Sequence, residues 1–294
     1  MFLQINTRYK LILILIRQKL IFVLRQILPI VAVNRKIFIL LVLFENILNC
    51  LSNEDLWCDP QLCGNSTTVR HIACENDGSF NRRCSSDATD IDITNFKQLF
   101  LDEHNKRRNL IASGQLTGYE PAARMATVLW DDELEYLGVL NLHTCKLDHD
   151  DCNHTKRYRS VGQNLCAISR LKSDEVNITI LIDEAVSLWF NEYKVIDKSY
   201  VKAFKGTGNF ESYGHFAEMI VERVSKIGCA IMRFTRPDYP QLHIFHVVCN
   251  YSSAYAQDAP LYRTGDPGRD CKTGKNPRFP ALCSEKEKFD PNYK

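Results

Sequence analysis

Twelve cysteines constrain the fold of this chain more than any other feature. They are spread along the sequence, and no paired Cys-x-x-Cys knuckles of the zinc-ribbon type occur among them. Cysteines used in this way are typical of disulfides formed in an oxidising compartment. The sequence therefore predicts an extracellular protein whose loops are held by covalent bridges.

The N-terminal segment favours secretion. It is strongly apolar but interrupted by basic residues, and Arg35-Lys36 precedes the apolar run 37–44 as in a signal peptide. That run is shorter than the about 20 residues that span a bilayer. We expect residues 1–52 to be a signal peptide region with an atypical extension, cleaved near 49–53, and no stable membrane anchor after cleavage. A membrane anchor between 10 and 33 and a misassigned start are the two alternatives for the extension.

Composition and charge exclude one class of partner. The 294 residues are 45% apolar, which is enough for one sizeable globular domain with extensions. The 37 basic and 35 acidic residues give a net charge of +2, so there is no electrostatic argument for nucleic-acid binding.

Four Asn-x-Ser/Thr triplets are candidate glycosylation sites, at Asn65, Asn153, Asn177 and Asn250. Asn65 and Asn177 lie in polar or boundary contexts, and we predict glycans on these two. Asn250 follows a cysteine in a predicted strand and is expected to be inaccessible.

Hydrophobic periodicity and turn residues predict four helices and a hairpin. The segment before them has little periodicity, and its cysteines are expected to attach it to the predicted helices and strands. The predicted elements are a helix from Thr94 to Gly114, a helix from Asp131 or Asp132 towards Cys145, a helix over 180–193, a short helix from Gly214 to about Val224, and strands over 228–234 and 242–251.

Two acidic or basic groups stand out within these elements. Glu192 falls on the helix face of Ala185 and Trp189, and a carboxylate on an apolar face needs a partner because burying a lone charge is costly. His215 lies in the compact stretch Gly214 to Ile220, beside a carboxylate three residues on. His104 is expected to fix its helix against a neighbour.

Four short motifs occur at plausible spacing in one order. They are His104-Asn105-Lys106-Arg107-Arg108, Gly162-Gln163-Asn164-Leu165, Gly214 to Ile220, and His246-Val247-Val248-Cys249-Asn250-Tyr251. Each motif alone is weak, but the ordered set is specific. With it, the chain resembles the CAP superfamily of cysteine-rich secretory, antigen 5 and pathogenesis-related proteins. The cysteine-rich N-terminal region is similar to the antigen 5-like branch of arthropods, the venom allergen-like proteins.

The resemblance implies an α+β fold, an α-β-α sandwich with a central antiparallel sheet. The CAP domain would cover 94–256, between a cysteine-rich extension at 53–93 and a C-terminal tail at 257–294. It also implies disulfide pairings, to which we add a bridge within the tail. Cys166 is left unpaired or paired with Cys50. The expected bridges are Cys58–Cys74, Cys63–Cys152, Cys84–Cys145, Cys229–Cys249 and Cys271–Cys283.

In the family, two histidines and two acidic residues face a central cleft. The matching positions here are His149, Gln163, Glu192 and His215, so one acidic residue is replaced by a neutral amide. His149 and His215 with Glu192 would form a reasonable zinc shell with a fourth position open. The neutral Gln163 removes a negative charge and a candidate base. We therefore expect no required cofactor, with zinc as the alternative.

The sequence departs from the family pattern elsewhere too. The tryptophan that usually follows the third motif is absent, with Val221 near that place, and the Pro-x-Gly-Asn end of the last motif is missing after Tyr251. The tail lacks the many cysteines of the ion-channel regulatory module.

These residues favour binding over catalysis. The sequence contains no Gly-x-Ser-x-Gly elbow and no His-Glu-x-x-His motif, and no cysteine is obviously available as a nucleophile. We expect a secreted, non-enzymatic protein that binds a small ligand, a lipid or sterol, or a host or self protein through the cleft. The alternatives are a zinc-dependent hydrolase or protease and a toxin-like effector that acts through its surface.

Overall fold

The computed structural model describes residues 56–206 and 212–292, which belong to one compact unit, Glu54–Lys294. The predicted signal region, its cleavage site and Cys50 lie outside the described residues. The described helices are α1 (Lys97–Ala112), α2 (Asp132–His143), α3 (Ile178–Asn191) and α4 (Gly214–Met219). The described strands are β1 (Thr89–Asp90), β2 (Leu129–Trp130), β3 (Gly162–Leu171), β4 (Lys226–Phe234) and β5 (Leu242–Tyr251).

The sheet is built around the predicted hairpin. Strands β4 and β5 pair antiparallel, with Cys229 opposite Cys249, and β3 pairs antiparallel along the other side of β5. The strand order is β1-β4-β5-β3. The short β2, which no sequence pattern indicated, adds to β4 in parallel. The sheet is thus antiparallel in its main part, as the resemblance implied.

Helices cover both faces of the sheet, which confirms the α-β-α sandwich. Because successive side chains of a strand point to opposite faces, Val247 and Val248 of β5 enter different cores. Val248 joins Leu142 of α2, whereas Val247 joins residues of α1, α3 and α4. Trp189 of α3 is 1% exposed and lies in this larger core.

Helix boundaries follow the capping chemistry closely. The Asp131 carboxylate accepts from the backbone N–H groups of Glu133 and Leu134 at 3.1 and 3.2 Å, which starts α2 where predicted. Several boundaries differ from the predicted ones, three of them by a change of structure or by several residues. A 3-10 turn, Thr94–Phe96, precedes α1; Glu192 belongs to a 3-10 turn, Glu192–Lys194, after α3; and α4 ends at Met219.

Five disulfides connect the described cysteines in the expected pairs. Cys63–Cys152 and Cys84–Cys145 fasten the irregular N-terminal segment to the loop after α2, while Cys58–Cys74 closes that segment on itself. Cys229–Cys249 crosses the hairpin and Cys271–Cys283 lies in the C-terminal segment. Within the described residues, Cys166 is in no disulfide, and burial raises its pKa to about 12.

The C-terminal segment is part of the core, although its composition indicated a loop-rich tail. Tyr262 and Leu282 are fully buried and belong to the larger core. The Thr127 hydroxyl donates to the Cys283 carbonyl at 2.6 Å, and the Ala281 N–H donates to Asn109 of α1 at 2.9 Å. Residues without helical or strand periodicity therefore complete the packing beside α1.

His143, at the end of α2, ties the N-terminal segment to the sheet. Its Nδ1–H donates to the Gly78 carbonyl at 2.7 Å, and its Nε2–H donates to the Asp90 carboxylate at 2.9 Å. Both nitrogens then carry protons and the ring is cationic. Burial works against this charge, but the hydrogen bond and charge of Asp90 outweigh it and raise the pKa of His143.

We expect His143→Gln to lose stability mainly at acidic and neutral pH. Because the folded-state pKa is raised, this stabilisation is complete below the ordinary value of 6.5 and is lost as pH rises through the folded value. The half-exposed Asp90 limits the effect to less than about 1 kcal/mol. Urea unfolding of both proteins between pH 5 and 9 measures it. A difference between them that grows with pH would contradict the assignment.

Candidate ligand site

His215 and Glu192 form a direct pair at the start of α4. His215 Nδ1–H donates to Glu192 Oε1 at 2.7 Å, and the Phe216 backbone N–H donates to Glu192 Oε2 at 3.0 Å. No side chain of the residue before α4 caps this helix, so Glu192 does so from the end of α3. The carboxylate of Glu192 was expected to need a partner. His215 and the Phe216 N–H group are its partners.

The His215–Glu192 pair lies against Trp189 but remains partly exposed to solvent. The rings of Trp189 and His215 are stacked, with centroids 6.4 Å apart, and the indole N–H donates to the Leu165 carbonyl of β3 at 3.1 Å. The His215 and Glu192 side chains keep 25% and 16% exposure. With Nδ1 donating to Glu192, a neutral ring has its lone pair on Nε2, which forms no hydrogen bond within the described residues.

Gln163 and His149 form a second group, on β3 and the loop after α2. Gln163 Oε1 accepts from His149 Nδ1 at 3.1 Å and from the Asp150 N–H at 3.2 Å. Gln163 Nε2 donates to Asp150 Oδ2 at 2.7 Å and to Asn250 Oδ1 at 3.0 Å. A glutamate could not make these two donations, and its charge would face the carboxylate of Asp150. The glutamine thus belongs to a local network that the sequence patterns did not indicate.

A chain of hydrogen bonds starts at Asn164, next to Gln163, and connects the backbone of His215 to α1. Asn164 donates to the His215 carbonyl and to the Tyr251 hydroxyl, both at 3.1 Å. The Tyr251 hydroxyl donates to His104 Nε2 at 3.0 Å, because His104 Nδ1–H donates to the Phe100 carbonyl at 2.8 Å. Burial lowers the pKa of His104 to about 3, so the ring is neutral. The expected structural role of His104 is confirmed.

The described residues do not assemble a zinc shell. Across 56–206 and 212–292, no group of three or more His, Cys, Asp or Glu side chains is placed to hold a metal ion. Both Glu192 oxygens already accept hydrogen bonds, and the Gln163 oxygen accepts two. Among these described residues, His215 pairs with Glu192 and Gln163 with His149, and neither pair belongs to a metal-binding group of three.

Glu218, one turn after His215, was left unassigned by the sequence and is the most unusual carboxyl in the region. It is 2% exposed; its Oε1 has no hydrogen-bond partner within the described residues, and its Oε2 accepts from the Tyr255 N–H at 3.4 Å. Burial raises the pKa of Glu218 to about 8, against the opposing charges of Arg223 and Arg108. A Cβ at Gly162 would overlap this carboxyl, so a larger residue where β3 begins would displace the Glu218 side chain.

A sandwich of helices and an antiparallel sheet, stapled by disulfides, defines the class of this protein. The family model of the cysteine-rich secretory protein family, CAP, matches residues 101–251. The chain is 33% identical over 241 residues to Venom allergen-1 of Aedes aegypti, covering 82% of this chain and 90% of that protein. It is 33% identical over 207 residues to the Antigen 5 like allergen Cul n 1 of Culicoides nubeculosus, covering 68% and 92%.

Solved structures agree with this fold. The crystal structure of Na-ASP-1 matches with 26% identity and a TM-score of 0.53, over 70% of this chain and 50% of that one. The crystal structure of NaASP2 with Zn2+ matches with 24% identity and a TM-score of 0.52, over 68% and 100%. The chain belongs to the CAP family, and its relatives include venom allergen and antigen 5 proteins of insects and centipedes.

Among residues 56–206 and 212–292, no helix has both the length and the apolar character needed to cross a bilayer.

Proposed function

We propose that this CAP protein is secreted and acts by binding a small ligand at the His215–Glu192 pair, with Gln163 and His149 as a second candidate contact region. The observation on which the proposal depends is that His215 donates to Glu192 and lies against Trp189 while its Nε2 has no internal partner in the described part of the chain. A fixed, partly exposed imidazole supports recognition of a hydrogen-bonding group.

We favour binding over metal-dependent hydrolysis because, within the described residues, no group of three or more His, Cys, Asp or Glu side chains is placed to hold a metal ion. Glu192 accepts from His215 and from the start of α4, so it fixes the tautomer of the histidine and caps the helix. These contacts support a ligand with a polar group, such as an amine or the head group of a lipid or sterol.

Two indirect observations support secretion. The relatives that share most of this chain are named as venom allergens and antigen 5 proteins. The disulfides require an oxidising compartment for their formation. Both observations fit an extracellular protein that meets its small ligand, or a host or self protein, outside the cell.

Replacing His215 with asparagine should weaken ligand binding while leaving the fold intact. The asparagine amide can still donate to Glu192 in the place of Nδ1, but Nε2 is lost. Biogenic amines, eicosanoids, fatty acids and sterols would be titrated into the purified protein and followed by tryptophan fluorescence, since Trp189 stacks on His215. For the ligand that binds, we expect at least about a tenfold weaker affinity, the loss of one good hydrogen bond.

His243→Asn serves as the matched control, because His243 lies opposite Arg170 at the other end of the β3–β5 ladder from Gln163. It should bind like the unmodified protein. No binding by any compound of the panel would contradict the small-ligand proposal. Equal biological activity of His215→Asn and the unmodified protein would favour a surface-acting effector. Zinc-dependent ester or peptide turnover lost in a His149→Ala, His215→Ala protein would favour the hydrolase.

A further inference from the structure

The structure divides the four glycosylation triplets into two kinds. Asn153 and Asn250 are 4% and 0% exposed, whereas Asn65 and Asn177 are exposed. N-linked glycans are bulky and are joined through the asparagine Nδ2 atom, so the acceptor nitrogen must reach solvent in the folded protein.

The Nδ2 atoms of the buried pair are used inside the protein. Asn250 Nδ2 donates to the Leu134 carbonyl of α2 at 3.0 Å, and Asn153 Nδ2 donates to Asn250 Oδ1 at 3.4 Å. Asn250 Oδ1 also accepts from Gln163 in the candidate ligand site. A sugar on either nitrogen would remove an N–H from this network and would have no space, so a chain glycosylated there could not fold this way.

The hydroxyl groups of the two buried triplets also have internal roles. Thr155 Oγ1 accepts from the backbone N–H groups of Arg157 and Tyr158 at 3.1 and 3.0 Å. Ser252 Oγ accepts from those of Ser225 and Lys226, both at 3.1 Å. The hydroxyl groups of Thr155 and Ser252 therefore have structural roles, in a turn and at a strand end, that involve no glycan.

The exposed asparagines use other atoms for their local structure. Asn177 caps α3 through Oδ1, which accepts from the N–H groups of Thr179 and Ile180 at 2.9 and 3.4 Å. Asn65 has a φ of 60°, a conformation that asparagine tolerates, and its backbone N–H donates to the Pro60 carbonyl at 2.8 Å. Neither role uses Nδ2, so a glycan is compatible with both.

We propose that Asn65 and Asn177 are N-glycosylated in the secreted protein and that Asn153 and Asn250 are not. The two glycans would then stand on separate parts of the surface, one on the disulfide-bound N-terminal segment and one at the start of α3.

The full chain would be expressed in cultured mammalian cells and the secreted protein treated with peptide:N-glycosidase in 18O water. This enzyme converts each glycosylated asparagine to a labelled aspartate that peptide mass spectrometry locates. We expect label at positions 65 and 177 and none at 153 or 250. Label at either buried position, lack of label at either exposed position, or a chain that stays in the cytosol overturns the proposal.

Matched variants separate the acceptor triplet from the side chain. Thr67→Ala and Thr179→Ala should each remove one glycan from the secreted protein, seen as one step of higher gel mobility, because both threonines are exposed and complete the triplet. Thr67→Ser and Thr179→Ser should each keep it. An alanine variant that migrates like its serine counterpart would overturn the assignment at that site.

Discussion

Arg108→Met is expected to lower the free energy of unfolding by about 3–5 kcal/mol, a loss at the upper end of what single substitutions cause. Arg108 is 1% exposed, and its guanidinium donates to the carbonyls of Ala126, Met219, Val221 and Val224 at 2.7–3.1 Å. Methionine fills a similar volume but donates nothing, so these buried carbonyls lose their partners.

Equilibrium unfolding in urea, followed by circular dichroism with the disulfides intact, measures this loss. Arg278→Met is the control, since the Arg278 side chain is 60% exposed and contacts Asp102 at 2.8 Å and the Phe279 ring at the surface. Exposed pairs contribute between about 0 and 1 kcal/mol. Similar losses in the two variants would contradict the view that Arg108 holds α1 to the loops around α4.

Glu218→Gln should remove a pH dependence of stability. Burial raises the pKa of Glu218 from 4.5 to about 8, so between these values the folded protein keeps a proton that the unfolded chain releases. The stability of the unmodified protein therefore falls as pH rises across that window. Since one pKa unit corresponds to about 1.4 kcal/mol, the difference between the two proteins should change by on the order of 5 kcal/mol across the whole window.

Unfolding measured from pH 5 to 8.5 tests this, and the change with pH is informative even if the glutamine shifts stability by a constant amount. Asp238→Asn is the control, because Asp238 is 72% exposed and pairs with Arg236 at the surface. Its pH dependence should match that of the unmodified protein. A Glu218→Gln protein with an unchanged slope would mean that Glu218 is ionised in the fold.

The resemblance to the family implied the sandwich, whereas apolar periodicity and capping residues, which are local signals, predicted the hairpin and the positions of the four helices. Asp131, for example, both begins α2 and shows the expected capping pattern. The end of α3 was harder to place, because the chain continues from Asn191 directly into the 3-10 turn Glu192–Lys194. Glu192 therefore reaches His215 from that turn.

Contacts between distant residues set the limit of sequence-based prediction at the site. The replacement of an acidic residue by Gln163 was evident, but its cause, the neighbouring Asp150 carboxylate and the Asn250 amide, depends on a loop and a strand meeting in space. Burial of Glu218 likewise depends on the close approach of Gly162. The packing of the C-terminal segment left no periodic pattern at all.

The long bridges of the N-terminal segment impose an order on maturation during synthesis. Cys63 can form its bridge only after Cys152, which lies 89 residues later, has been synthesised. Cys84 likewise requires Cys145, which lies 61 residues later. At translation speeds of about 5–20 residues per second, Cys63 stays reactive for roughly 4–18 s. The bridges Cys229–Cys249 and Cys271–Cys283 span 20 and 12 residues and can close almost as they emerge. The first part of the protein to be made is thus the part most exposed to mispairing by oxidoreductases.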